Sequence, residues 1–186
     1  MKKIIIVSFF ISTCFLQSYS QKPSIPEKLD ARLAGIWVLN LEKSNLGHWE
    51  PFFKNRILQI SVKDLEITVV TTEEVTGRLI SKIVLYADDR GETNIVYARD
   101  PTRLLTSKTK LKKGILIRKY TTQIKSNDLS SEKQFNVTER YAVSIDGDAL
   151  TITQESPTLS AQTGFGPMGP DSLETVTRTY KRFVQH

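Results

Sequence analysis

The sequence predicts an all-β fold: an up-and-down antiparallel β-barrel, or flattened barrel, of about ten strands with one short N-terminal helix. Three observations predict it. Apolar and polar residues alternate at a period of two along most of the chain, which sorts them onto the two faces of a strand. Helical periodicity is nearly absent. Tight turns alternate with mostly longer connections, so successive hairpins would gather the turns at one end of a sheet and the long loops at the other.

Taken from its start, the chain opens on a segment that reads as a secretory signal. Lys2 and Lys3 form a positive end, Ile4 through Leu16 an apolar run, and Ser18-Tyr19-Ser20 a small-residue cleavage site near Ser20. The run is short of the roughly 20 residues needed to span a bilayer. Cys14 raises the alternative of a lipoprotein, but Thr13 precedes it where a smaller residue is expected, and the apolar run continues through Leu16. The expectation is a secreted or periplasmic product. Cleavage leaves 166 of the 186 residues, enough for one domain with its own core. It also removes the only cysteine, so disulfides, thiol catalysis and thiolate metal sites are excluded from the mature chain.

Residues 21–34 read as a linker and the short helix. Ser24-Ile25-Pro26-Glu27 has the form of a capping box, and the turns that follow would stop at Gly35. The barrel domain then occupies 35–186. Its strands are read at about 35–40, 56–63, 65–72, 78–86, 93–98, 104–112, 115–124, 135–144, 149–154 and 175–184. Leu58, Ile60 and Val62 oppose Gln59 and Ser61; Phe135, Val137, Tyr141 and Val143 oppose Asn136, Thr138, Arg140 and Ser144. One face is therefore buried and the other wet. Lys63-Asp64, Asp88-Asp89-Arg90-Gly91, Lys113-Gly114 and Asp146-Gly147-Asp148 supply tight turns, where Gly and Asp accept positive φ. The longer connections, led by 41–55 and 155–174, would fall at the opposite end. That is the plan of a cup with a mouth, the alternative being a flattened sandwich without a cavity. An even strand count lets the last strand pair with the first and removes exposed edges.

The first strand reads Gly35-Ile36-Trp37-Val38-Leu39-Asn40-Leu41-Glu42-Lys43-Ser44. Its Gly-x-Trp, following a short helical turn, resembles the lipocalin signature, and the fuller run looks like a group of exported bacterial lipocalin-like proteins. The resemblance implies a calycin-type barrel whose tryptophan sits at the closed end, beneath an arginine from the last strand. Carried onto this chain, Gly35, Trp37 and Arg182 take those structural roles, with Arg178 the second choice for the arginine. The departures are ten strands where lipocalins have eight, and the lack of cysteines.

Candidate ligand contacts lie in the mouth loops. Trp49, Phe52 and Phe53 stand with Pro51 in a connection long enough to need a reason. They read equally as a lid over an apolar ligand or as a plug completing the core. Phe165 and Met168 lie in a run of glycines and prolines that suits a flap or a variable surface loop.

No catalytic residues, metal ligands or cofactor site are assigned. His48 and His186 have no companions at ligand spacing, and no Gly-x-Ser-x-Gly elbow or phosphate-binding glycine loop occurs. The formal charge falls from +6 to +4 when Lys2 and Lys3 leave. Lys108, Lys110, Lys112 and Lys113 are read as a solvated hairpin tip, so no nucleic-acid partner is expected. The expected function is not enzymatic: it is capture of a small, largely apolar molecule in a barrel cup. The alternative is an envelope protein-interaction or inhibitor module that uses the loop-rich end of a filled barrel.

Overall fold

The computed structural model describes residues 28–96, 103–125, 132–157 and 173–184. Ten antiparallel strands are present: β1 Gly35–Leu39, β2 Arg56–Lys63, β3 Glu66–Glu73, β4 Leu79–Tyr86, β5 Glu92–Val96, β6 Arg103–Lys112, β7 Ile115–Lys125, β8 Glu132–Val143, β9 Ala149–Pro157 and β10 Leu173–Arg182. Their spatial order is β4-β3-β2-β1-β10-β9-β8-β7-β6-β5, a meander in which the first strand pairs with the last. The segment read as a signal and the expected Ser24 cap lie outside the described residues. What is described of the N-terminal helix is one 3-10 turn, Ala31–Leu33, capped by the Asp30 side chain.

Asp64, Asp89, Lys113, Gly114 and Gly147 have positive φ in the tight turns at one end of the sheet. The start of β1 and the finish of β10 lie at the same pole. The opposite pole receives the 40–55 connection, the β3–β4 turn and the strand ends at Val96, Arg103, Lys125, Glu132, Pro157 and Leu173.

The register puts Trp37, Leu58, Ile60, Ile67, Val69, Leu85, Leu116, Leu150 and Ile152 on one concave face, all buried. Leu29 and Leu33, from the segment before β1, cover the floor and join this core. Trp37 is fully buried and donates from Nε1 to Leu33 O at 3.0 Å. Arg182 lies directly opposite it on β10, with its guanidinium carbon 4.3 Å from the ring centroid. The same guanidinium donates to Gly147 O at 2.8 Å, to Ala34 O at 2.9 Å and to Arg32 O, tying the β8–β9 turn and the segment before β1 to the floor. Arg178 is not at this pole; it points into the middle of the barrel.

No ladder joins β4 to β5, so the sheet closes by side chains instead. Asn94 accepts from Val84 N at 2.7 Å and donates to Val84 O at 2.9 Å, reproducing the donor and acceptor of a missing strand neighbour. Glu92 accepts from Tyr86 N at 3.4 Å. The edge of β4 is thereby occupied, which suppresses pairing with another chain.

Candidate functional site

The 41–55 connection, read from the sequence as a loop serving as lid or plug, is built of short helical turns. Turns at Leu41–Lys43 and Gly47–Trp49 precede a four-residue α-helix, α1, Glu50–Phe53. Local chemistry accounts for them. The Asn40 side chain caps the first turn, and Pro51 sits in the first turn of α1, where no amide donor is needed. Between these turns, Asn45 exchanges backbone hydrogen bonds with Thr177, and Ser44 Oγ accepts from Thr179 N at 3.0 Å. The segment thus runs up the side of β10 beyond the end of β1.

From that anchor the aromatic residues reach over the mouth. Trp49 donates from Nε1 to Glu174 Oε1 at 2.7 Å, and His48 Nδ1 lies 3.7 Å from the other oxygen of that carboxylate. Trp49 touches Phe52 with ring centroids 5.7 Å apart. Phe52 is exposed, whereas Phe53 turns inward onto the guanidinium of Arg178, 4.7 Å from its carbon. Phe165 and Met168 lie outside the described residues.

Below Phe53 the barrel interior is polar, and this was not read from the sequence. Three strands each place a charged residue between an aliphatic residue and a tyrosine on the inward face: Leu116-x-Arg118-x-Tyr120 on β7, Val137-x-Glu139-x-Tyr141 on β8 and Val176-x-Arg178-x-Tyr180 on β10. Glu139 is the hub. Its carboxylate accepts from Arg178 Nη2 at 3.0 Å, Arg118 Nη1 at 3.3 Å and Tyr141 Oη at 3.0 Å. Arg178 also reaches Gln154 Oε1 at 3.2 Å. Arg118 Nε donates to Ser107 Oγ at 3.0 Å, and Ser107 and Thr109 both donate to Glu92 Oε1 at 2.6 Å. A continuous belt therefore crosses from β10 to β5 above the apolar floor.

The electrostatics of the belt follow from burial. Desolvation alone would raise the Glu139 carboxyl, but Arg178 and Arg118 outweigh it and hold the group below its ordinary value. Desolvation raises Tyr120, Tyr141 and Tyr180, each with Glu139 adding to the rise, so the phenols stay neutral. Arg56 also faces inward from β2; burial lowers its pKa, and Arg178 is among the charges that act on it.

Two features make this belt a candidate site. Arg118 Nη2, Arg178 Nε and Ser156 Oγ are buried with no hydrogen-bond partner among the described residues. Such donors are costly, by about 1–3 kcal/mol each, and native proteins seldom leave them so. In addition, the inward-facing residues Thr71, Ser81, Ile83, Leu105 and Phe135 are only half-buried, so the wall toward the mouth is not sealed by packing.

Among the described residues no three His, Cys, Asp or Glu side chains gather as a metal site would require. No helix among them is long and apolar enough to cross a membrane.

No protein-family model matches the chain, and a comparison with curated proteins finds no match. Solved structures do match. One is zebrafish ileal bile acid-binding protein in complex with cholic acid, with a TM-score of 0.50 and 11% identity; the likeness covers 82% of this chain and 99% of that one. At that identity the likeness concerns the fold alone: a nearly closed antiparallel barrel.

Proposed function

We propose that this protein is an exported carrier that holds one small amphipathic molecule inside the barrel. The apolar body lies in the upper interior under Phe53, and an acidic head reaches the belt. The observation that carries this reading is the pair of unpartnered, buried guanidinium donors, Arg118 Nη2 and Arg178 Nε, facing an interior whose upper wall keeps accessible surface. Arg118 and Arg178 share one carboxylate, Glu139; Arg56 adds a third inward cation and Glu92 is the belt's second carboxylate, so among the described residues the belt's cations exceed its carboxylates by one. An incoming carboxylate would satisfy the free donors and offset the surplus charge. Apolar burial would supply most of the affinity, at roughly 25 cal/mol per Å². The fold likeness to a protein solved with cholic acid supports a barrel of this kind as a holder of an amphipathic acid.

The test is displacement of a fluorescent naphthalene sulfonate from the full chain by oleic acid and by oleyl alcohol. The acid is expected to bind at least about tenfold more tightly, a difference of about 1.4 kcal/mol, and Arg178→Gln should erase that preference. Equal binding of both would remove the acidic head from the reading; binding of neither would remove the carrier. Export is tested separately, by sequencing the N-terminus of the chain recovered outside the cytoplasm of a bacterial host, with Gln21 expected first.

A protein-interaction module remains the alternative, because Phe52 is 58% exposed and Val75, Leu79 and Leu104 are exposed at the same pole. Phe53 does not extend that patch, since it faces Arg178.

A further inference from the structure

A second surface lies on the outer wall, independent of the interior. On β6 the residues alternate strictly: Ser107, Thr109 and Leu111 face inward, and Lys108, Lys110 and Lys112 face out. Lys113 forms the turn, and Lys119 stands on the outer face of β7. All five lysines are exposed, and none makes an ion pair among the described residues. Lys108 and Lys119 are direct cross-strand partners. Like charges in that position oppose pairing, so the sheet tolerates here what it would gain by changing.

Two of the acids near the hairpin are already paired. Asp88 is bonded by both oxygens to Arg90, and Glu155, on the outer face of β9, pairs with Arg140. The lysines therefore present a predominantly positive stripe of five cations running from the middle of the wall to the closed pole, with Asp89, whose amide bonds Thr109 O, an acid at its edge.

We infer that the outer face of the β6–β7 hairpin docks on an anionic lipid surface. The residue type selects the partner. Lysine is a compact point charge without the planar fork that reads bases or pairs carboxylates bidentately, and it is depleted from protein–protein interfaces. Single-stranded nucleic acid is gripped by aromatic side chains interleaved with cations, and no aromatic stands among these outward positions. A cluster of this size, in the range of about 4–8 basic residues, suits the diffuse field of an acidic leaflet. Docked by this hairpin, the barrel would lie against the lipid by its side and closed pole, leaving the mouth off the surface.

The experiment is co-sedimentation of the full chain with phosphatidylcholine vesicles and with vesicles in which about a third of the lipid is phosphatidylglycerol. Retention is expected only on the acidic vesicles and should fall steeply with added salt. A variant carrying Lys108→Gln, Lys110→Gln, Lys112→Gln and Lys119→Gln should lose roughly tenfold or more of that binding, with its thermal midpoint unchanged or raised because the Lys108–Lys119 opposition is gone. A control with Lys43→Gln, Lys54→Gln, Lys63→Gln and Lys82→Gln removes equal charge elsewhere and should still bind. Equal retention on neutral vesicles, equal loss in both variants, or displacement from the vesicles by an oligonucleotide at matched phosphate would each overturn the assignment. None of these readouts involves the interior, so failure here leaves the carrier reading standing.

Discussion

A β-carbon on Gly35 would stand 2.4 Å from Arg182 Nη1, and its φ of 148° is one that other residues rarely adopt. Arg182 has little room to yield, since three carbonyls and the Trp37 face hold it. Gly35→Ala is therefore expected to cost about 1–3 kcal/mol. In a Trp49→Phe background it should also change the emission of Trp37, the one indole left; unaltered unfolding and emission would refute this account of the floor. Glu139 poses the opposite problem, a charge whose neighbours depend on it. Glu139→Gln leaves Arg118 and Arg178 buried without their shared counter-charge, and about 3–5 kcal/mol of stability should go. The pH dependence carries a definite sign. Because folding holds the Glu139 carboxyl below its ordinary value, its contribution is complete above about 4.5 and is lost as pH falls from there through the folded value. Denaturant midpoints of the wild type should drop over that acid range more steeply than those of Glu139→Gln. Equal slopes would mean that the carboxylate gains nothing from its two arginines.

At the level of elements, the structure departs from a simple meander in two places, and each has a local cause. Between β4 and β5 the ladder is replaced by Asn94 and Glu92. The sequence held little sign of this, because an Asn inside a strand is ordinary until its partner is known. Asn94→Ala would strip Val84 of both a donor and an acceptor, at a cost of about 1–3 kcal/mol. Amide exchange at Val84 should accelerate well beyond that at Val69, whose ladder is intact on both sides. Protection unchanged at Val84 would show that the seam is closed by other means. The second departure is the 40–55 connection, read as a loop but formed of helical turns. Pro51 was noted in the sequence, but the Asn40 cap emerges only from the structure, and a four-residue helix is too short to leave a period in the sequence. Phe53 reports on this element. Phe53→Ala uncovers the guanidinium of Arg178, so the oleic acid site should become faster to fill and empty in stopped-flow measurements. Unchanged rates would mean that the segment does not govern access.

For the molecule as a whole, what the sequence disclosed and what it hid have one physical origin. A period of two reports which face of a strand is buried, so the order of strands, the turn positions and the division into two poles could be read directly. It does not report that a concave face is polar, because a charge in an inward position breaks the pattern and is discounted. That is why Phe135, Val137, Tyr141 and Val143 were recognised as one face while Glu139, lying among them, was passed over. The repeated aliphatic-x-charged-x-Tyr pattern on β7, β8 and β10 was the available sign: a lone interruption is noise, but the same interruption on three strands implies a shared layer. The tyrosines of that layer make a prediction for the entire barrel. Tyr120, Tyr141 and Tyr180 are held above the ordinary phenol value of 10.0 by burial, with Glu139 adding to the rise. A group raised in this way stabilises the fold fully below its unfolded value and loses that contribution as pH climbs through the folded one. Stability should thus decline once pH passes about 10. Three of the six tyrosines should then ionise only together with loss of the β-sheet circular dichroism. If every tyrosine ionised while the sheet signal persisted, water would already reach all three phenols, and the buried belt could not hold its donors in reserve for a ligand.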